Sequence, residues 1–270
     1  MQCEKVVVAG LGLIGTSIAQ GLTAGFARTV VGYDPERGAR TAAANFVTNT
    51  TGRFDDLRSS DLLILAAPPS QIPELLKEIA KWPPEPTTIT DVASVKSMIV
   101  ASVPKELKQR FVAGHPMAGN DSSGAEEANA EMFHGAKWVL CPLPESSEDH
   151  VLRVRAMVRH LKATPVTMKA EDHDRIVALL SHLPHVIASA LLNASESLGE
   201  NKVSAKSWDD TTRVGGSNPP LWADILLANK KPILEALKAY EKSMGEFVKA
   251  IEKEDRGKLE GLILRARDSK

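Results

Sequence analysis

An apolar run that breaks into closely spaced glycines, VVVAGLGLIGTSIAQGL over residues 6–22, constrains this chain more than any other segment. Gly10, Gly12 and Gly15 stand in GxGxxG spacing, with a strand-like run before them and a helical pattern after them. Each glycine answers a steric demand. The first permits a tight turn, the second lets a pyrophosphate approach the backbone, and the third lets the helix lie close on the strand. The backbone N–H groups at the helix start, around Leu13 and Ile14, then face the phosphate charge. The spacing therefore predicts a strand–turn–helix unit that binds a dinucleotide.

Asp34 closes the next strand-like run and is placed to accept hydrogen bonds from the adenosine ribose. Its charge would repel a 2′-phosphate, which favours NAD over NADP, although Arg37 lies close enough to compensate such a phosphate. A turn before Pro35 would use an aspartate equally well. Ala67 and Pro68 follow the apolar run 62–66, at an edge that should face the same ligand.

Short apolar runs alternate with helical patterns through the first half, which predicts parallel βαβ units. Strands are expected over 5–9, 29–33, 62–66, 87–90, 110–114, 138–141 and 165–168, with helices over 14–25, 37–45, 72–81 and 147–161. After Lys169 the pattern becomes wholly helical. One long helix is expected over 172–198, kinked at Pro184, followed by helices over 221–228, 232–251 and 259–266. The expected architecture is an α/β Rossmann-type nucleotide-binding domain, residues 1–168, followed by an all-α helical domain, residues 169–270. The many leucines of the second domain suit a dimer interface.

A formal net charge of −1 gives no footing for nucleic acid or an anionic membrane as the main partner. The two cysteines, Cys3 and Cys141, are far apart and lack ligand spacing, which suits a reducing cytoplasm. The apolar N-terminus lacks a basic flank and a cleavage site, so it reads as a buried strand rather than a signal peptide. No uninterrupted apolar run is long enough to suggest a membrane span.

The candidate chemistry lies elsewhere. Ser94 follows the run 87–90 within TDVASVK, and His115 follows the run 110–114 within GHPMAG. His182 and His185, in SHLPH, share one face of the long helix. Asp209, Asp210 and Arg213 precede a loop in DDTTRVGGSNPPLW. Plainer roles exist for each: a helix cap for Ser94, a loop histidine for His115, polar packing for the histidine pair and a surface cation for Arg213. No third ligand has the spacing for a histidine metal site.

Taken together, these segments resemble the prephenate/arogenate dehydrogenase family. The likeness covers nearly the whole chain and rests on VAGLGLIGTSIA, DVASVK, GHPMAG, the run from Asp172 to His185, and DDTTRVGGSNPPLW. It implies NAD as cofactor and prephenate or arogenate as substrate, a cyclohexadienol that loses a hydride and then carbon dioxide. It also implies a homodimer formed through the helical domain. On this likeness His115 takes the C4 hydroxyl proton, with Ser94 fixing its tautomer or bonding the hydroxyl. Arg213 binds a substrate carboxylate, Asp210 orients Arg213, and Ser181, His182 and His185 line the pocket. Asn120 contacts the substrate from a loop where relatives often carry Thr-Glu in place of Asn120-Asp121. Two other readings compete. A hydroxyacid or imine reductase would place a lysine where this helix offers histidines, and a non-catalytic NAD-binding module would not need His115.

Overall fold

The computed structural model describes residues 3–119, 124–195 and 205–269. Its first half is one mixed sheet of eight strands. Along the chain these are β1 (Cys3–Ala9), β2 (Ala27–Tyr33), β3 (Asn49–Thr51), β4 (Leu62–Leu65), β5 (Thr88–Asp91), β6 (Phe111–Pro116), β7 (Lys137–Pro142) and β8 (Thr164–Thr167). Their spatial order is β3-β2-β1-β4-β5-β6-β7-β8. Helices α1 (Leu13–Thr23), α2 (Arg37–Ala43), α3 (Ile72–Ala80), α4 (Ser97–Ser102) and α5 (Glu148–His160) cover its faces.

Strands that are covered on both faces need apolar side chains at every position. Val6, Val7, Val8 and the whole of Leu62–Leu65 are completely buried accordingly. Each such aliphatic side chain contributes roughly 1.5–3 kcal/mol of burial. The chain order reverses between β1 and β4, the crevice where doubly wound sheets take their ligands.

The all-parallel expectation fails at one edge. β7 runs antiparallel to β6, with His115 opposite Val139, while β8 returns parallel to β7. Alternation of apolar residues reports burial and carries no strand direction. The expected strands and helices otherwise recur with boundary shifts, and β3, α4 and a short helix over Lys206–Thr212 are additional.

The second half is helical: α6 (Ala170–Val177), a π turn (Ala178–His182), α7 (Leu183–Ser195), α8 (Lys206–Thr212), a 3-10 turn (Arg213–Gly216), α9 (Pro219–Ala228), α10 (Lys230–Glu252) and α11 (Arg256–Asp268). The single kinked helix is thus interrupted just before Pro184. The Leu183 N–H reaches back to the Ala178 carbonyl, one residue further than an α-helix allows. The helical stretch 170–195 contains an 18-residue window with a mean hydropathy of 1.6, long and apolar enough to cross a membrane, which sequence inspection did not register. Here it packs against α4 and α10 and buries His173, Asp174, His182 and His185.

The two halves share a core. Ile225 of α9 lies in the same buried cluster as Leu63, Leu65, Ile89 and Ile99 of the α/β half, with Trp222 and Ala228 packed against it. Ser70, in the loop after β4, donates to the Asp224 carboxylate of α9 at 2.6 Å.

Candidate active site

The carboxyl edge of the sheet collects the candidate side chains. His115 lies near the end of β6, and its Nδ1 is 2.8 Å from Nε2 of His173 on α6. His173 Nδ1 is in turn 2.8 Å from Asp174 Oδ1. The Asp174 carboxylate also accepts the backbone N–H groups of Lys96 and Ser97, both at 2.8 Å, which cap the start of α4 from the other half of the molecule. Those hydrogen bonds hold the Asp174 carboxyl below its ordinary value in spite of burial.

A second buried carboxylate supports the strand. Asp91, at the end of β5, pairs with the Lys96 ammonium, and both side chains are fully buried. Asp91 also accepts the N–H of Ala93 at 3.0 Å and of Gly114 at 3.2 Å. Burial raises the Asp91 carboxyl, while Lys96 and the two N–H groups pull it back. The His115 imidazole is pushed well below 6.5, first by burial and then by its neighbours His173, Lys96 and His182, beside which a further positive charge is disfavoured. It is therefore neutral at physiological pH and able to accept a proton.

The π turn delivers the helical contribution. His182 is buried, and its Nδ1 accepts from Asn229 Nδ2 at 3.1 Å, an amide that also donates to the Asp174 carbonyl at 2.9 Å. Burial lowers its pKa to about 4. His185 stacks on Trp222, with ring centroids 3.5 Å apart and planes 1° from parallel. The His185 Nδ1 is buried without a hydrogen-bond partner among the described residues, and the ring is hydrogen-bonded to the backbone of Val214. Arg213 and Val214 belong to a turn that lies flat on α7. A side chain at Gly215 would strike Leu192 and the backbone of Ala188 and Ser189.

At the nucleotide end, Gly10 has φ +106°, and a Cβ there would collide with the Ala66 carbonyl. A Cβ on Gly15 would collide with the Gly10 carbonyl, whereas one on Gly12 would meet nothing within 4 Å. The crowded glycines close the turn, and the open one leaves clear the space a pyrophosphate would need. α1 begins after Gly12 with no side-chain cap and no acidic residue in its first turn, so the N–H groups of Leu13, Ile14 and Gly15 offer an anion site. Asp34 accepts the Leu11 N–H and the Glu36 N–H, both at 2.9 Å, which ties the glycine loop to the end of β2. A carboxylate has capacity for further donors beyond those two. These residues fit a dinucleotide.

Arg37 is exposed at the start of α2, while Arg40 donates to the carbonyls of Asp34 and Pro35 at 2.7 and 2.8 Å. The guanidinium that contacts the Asp34 backbone is therefore that of Arg40. Ala67 and Pro68, both half-buried, follow Ala66 against the glycine loop.

Other expected site residues are placed less decisively. Ser94 is half-buried in the β5–α4 loop, and its hydroxyl makes no hydrogen bond among the described residues. It does not cap α4, which starts at Ser97. Ser181 is exposed on the π turn. Asp210 is exposed on α8 and forms no ion pair among the described residues, so the orienting contact to Arg213 is not made there. Asn120 lies outside the described residues. Sequence reasoning gave no role to His173, Asp174, Lys96, Asn229 or Trp222. The signal available was a His-Asp pair and a lysine within otherwise buried patterns.

The sequence profile described as prephenate dehydrogenase, nucleotide-binding domain, matches residues 18–167, and that described as prephenate dehydrogenase, dimerization domain, matches residues 169–264. This chain belongs to the prephenate dehydrogenase family. It is 31% identical over 263 residues to the prephenate dehydrogenase of Lactococcus lactis subsp. cremoris, covering 93% of this chain and 72% of that protein. Among solved structures it is similar to the Aquifex aeolicus prephenate dehydrogenase in complex with hydroxyphenyl propionate and NAD+. That likeness has a TM-score of 0.92 and 27% identity, and covers 100% of this chain and 98% of the other. It is also similar to Synechocystis arogenate dehydrogenase, with a TM-score of 0.82, 26% identity and 98% of each chain covered.

Proposed function

We propose that this chain is an NAD-dependent dehydrogenase that converts prephenate to 4-hydroxyphenylpyruvate and carbon dioxide, with residues 1–168 binding the nucleotide and 169–270 completing the substrate site. The observation that carries the reading is the His115 imidazole, held neutral at the carboxyl edge of a sheet whose glycine loop fits a dinucleotide. NAD, when bound, supplies the hydride acceptor. His115 takes the proton of the C4 hydroxyl as the hydride leaves, which contributes on the order of 10²–10⁴-fold. Ring aromatisation then drives loss of the ring carboxylate, without a metal or a Schiff base.

Arg213 binds a substrate carboxylate through charge-assisted hydrogen bonds. Gly215 supports this role by letting the Arg213 turn lie against α7. His182, His185 and Ser181 line the pocket from the helical side, and the unpartnered His185 Nδ1 offers a polar contact there. Ser94, Asn120 and Asp210 complete the candidate contacts. Asp34 disfavours a 2′-phosphate at the ribose, which supports NAD over NADP.

The Synechocystis likeness supports arogenate as a second substrate, since arogenate differs from prephenate only in carrying an amine where the side-chain ketone stands. A homodimer through the helical half is supported by the exposed apolar side chains of Leu180, Leu227, Ile251 and Ile263. Cys3 and Cys141, both buried and unbridged, suit a cytoplasmic setting. The test is spectrophotometric: appearance of reduced nicotinamide from NAD and from NADP, with prephenate and with arogenate in parallel. The expected result is turnover of prephenate with NAD. No turnover of either substrate would end the reading.

A further inference from the structure

We propose that His173 and Asp174 are positioning residues of this dehydrogenation, a relay from the helical half that decides which nitrogen of His115 is the base and shares the proton that nitrogen takes. The proposal rests on the oxidation assigned above to His115. Its geometry is the chain His115 Nδ1, His173 Nε2, His173 Nδ1, Asp174 Oδ1, with both links at 2.8 Å.

The direction of the hydrogen bonds follows from the carboxylate end. An ionised carboxylate only accepts, and Asp174 already accepts two backbone N–H groups. His173 Nδ1 must therefore donate to it. With both imidazoles neutral, His173 Nε2 then carries a lone pair and accepts from His115 Nδ1–H. That leaves the lone pair of His115 on Nε2, the nitrogen not engaged in the chain. A free neutral imidazole prefers the opposite arrangement, with its proton on Nε2, which would leave no base there. The two rings meet edge to face, centroids 5.1 Å apart at 77°.

Proton balance shows what such a chain is for. As the hydride and its electron pair leave C4 for the oxidised nicotinamide, the C4 hydroxyl O–H bond breaks and an N–H bond forms at His115 Nε2. His115 can pass its Nδ1 proton to His173 Nε2, where the ionised Asp174 carboxylate, accepting from His173 Nδ1–H, stabilises the imidazolium that forms. When carbon dioxide departs, its bonding pair enters the ring and the C4 oxygen becomes a phenolate. That oxygen takes the proton back from His115 Nε2, and the relay reverses. Prephenate dianion and NAD+ become 4-hydroxyphenylpyruvate anion, carbon dioxide and NADH, and no net proton enters or leaves.

A proton that is lent and returned needs no path to bulk water. His173 and Asp174, 1% and 3% exposed, are closed off from it. The charged and titratable groups around His115 are His173 and Asp174 on α6, Lys96 with its partner Asp91 on the β5–α4 segment, and His182 on the π turn. Lys96 disfavours a full positive charge on His115, so moving that charge toward Asp174 lowers the cost of the step.

The test combines 15N spectroscopy with kinetics on the full-length enzyme. In the wild type, the His115 resonances should show Nδ1 protonated and Nε2 bare, and the opposite tautomer overturns the proposal. His173→Gln keeps an acceptor toward His115 and a donor toward Asp174 but cannot pass a proton along. Its kcat should fall about tenfold, with the tautomer kept, whereas His173→Leu should lose about 10²-fold or more and release the tautomer. KM and NAD affinity should hold in both, and the acid limb of the kcat/KM profile should move in His173→Leu. Equal losses in the two variants with the same His115 tautomer, or an unchanged kcat in His173→Leu, would overturn it. Should His173→Leu not fold, the wild-type tautomer and His173→Gln carry the decision. A wild type that oxidises neither cyclohexadienyl substrate defeats the parent reading instead, while the tautomer measurement still judges the relay.

Discussion

Replacing Lys96 with methionine isolates the electrostatic support of the site. Methionine keeps most of the lysine stem and removes the charge, leaving Asp91 fully buried with only the Ala93 and Gly114 N–H groups for partners. Breaking a buried ion pair from one side costs about 3–5 kcal/mol. The two remaining hydrogen bonds solvate the carboxylate in part, which points to the lower end, about 3 kcal/mol. At about 2–4 °C per kcal/mol for a chain of this size, the melting temperature should fall by about 6–12 °C.

The deficit should also depend on pH. Burial already holds the Asp91 carboxyl above its ordinary 3.8 in the folded state, despite Lys96. A folded carboxyl with a raised pKa binds its proton more tightly than the unfolded one, so stability falls as pH rises through the folded value. Without Lys96 that value climbs further, and the gap between variant and wild type should be narrower in acid and wider toward alkaline pH. Thermal unfolding at about pH 5 and about pH 8 reads both effects. Asp91→Asn on the Lys96→Met background should recover part of the loss, because the stranded charge is gone. A deficit under about 1 kcal/mol, or one identical at both pH values, would refute the assignment of a buried, charged pair.

His115→Asn should lower kcat/KM by about 10²–10⁴-fold while NAD affinity, measured by fluorescence titration, stays put. In the wild type, kcat/KM should stay flat as pH falls through 6.5 and drop only in stronger acid, because the His115 pKa is depressed and its neutral form is the base. Steady-state kinetics on Arg213→Gln should show a large rise in substrate KM with a modest loss of kcat, since the carboxylate it binds is present in ground and transition states alike. Asp34→Ser should relax the preference for NAD over NADP, read as the ratio of kcat/KM for the two cofactors, and a wild type that already prefers NADP would contradict that role.

The nucleotide end was legible in the sequence because its chemistry is local. Gly10, Gly12 and Gly15 answer constraints set by residues a few positions away and by Ala66, which ends the neighbouring strand. His115 and the SHLPH histidines were visible as titratable groups at places where strands and helices end. The relay was not, because His115 and His173 lie 58 residues apart and only folding brings α6 onto the end of β6. Lys96 follows Val95 in the β5–α4 segment, and lysine is almost always a surface residue. Nothing in its immediate neighbours announces Asp91 as a buried partner. The π turn was equally hidden, since Pro184 predicts a break without saying how the backbone will absorb it. Antiparallel β7 shows the limit of periodicity: a strand buried on both faces reads the same in either direction.

Ile225 reaches from α9 into the core of the α/β half, and that has a cost for anyone who would divide the protein. A nucleotide lobe produced alone would expose an oily socket shaped for that isoleucine and would tend to stick to itself. Its His115 would also be left to ordinary imidazole chemistry, with no neighbour choosing its proton's place. Binding of the nucleotide would survive such an amputation better than turnover. Swapping in a foreign helical lobe would have to match both the greasy plug and the imidazole it brings.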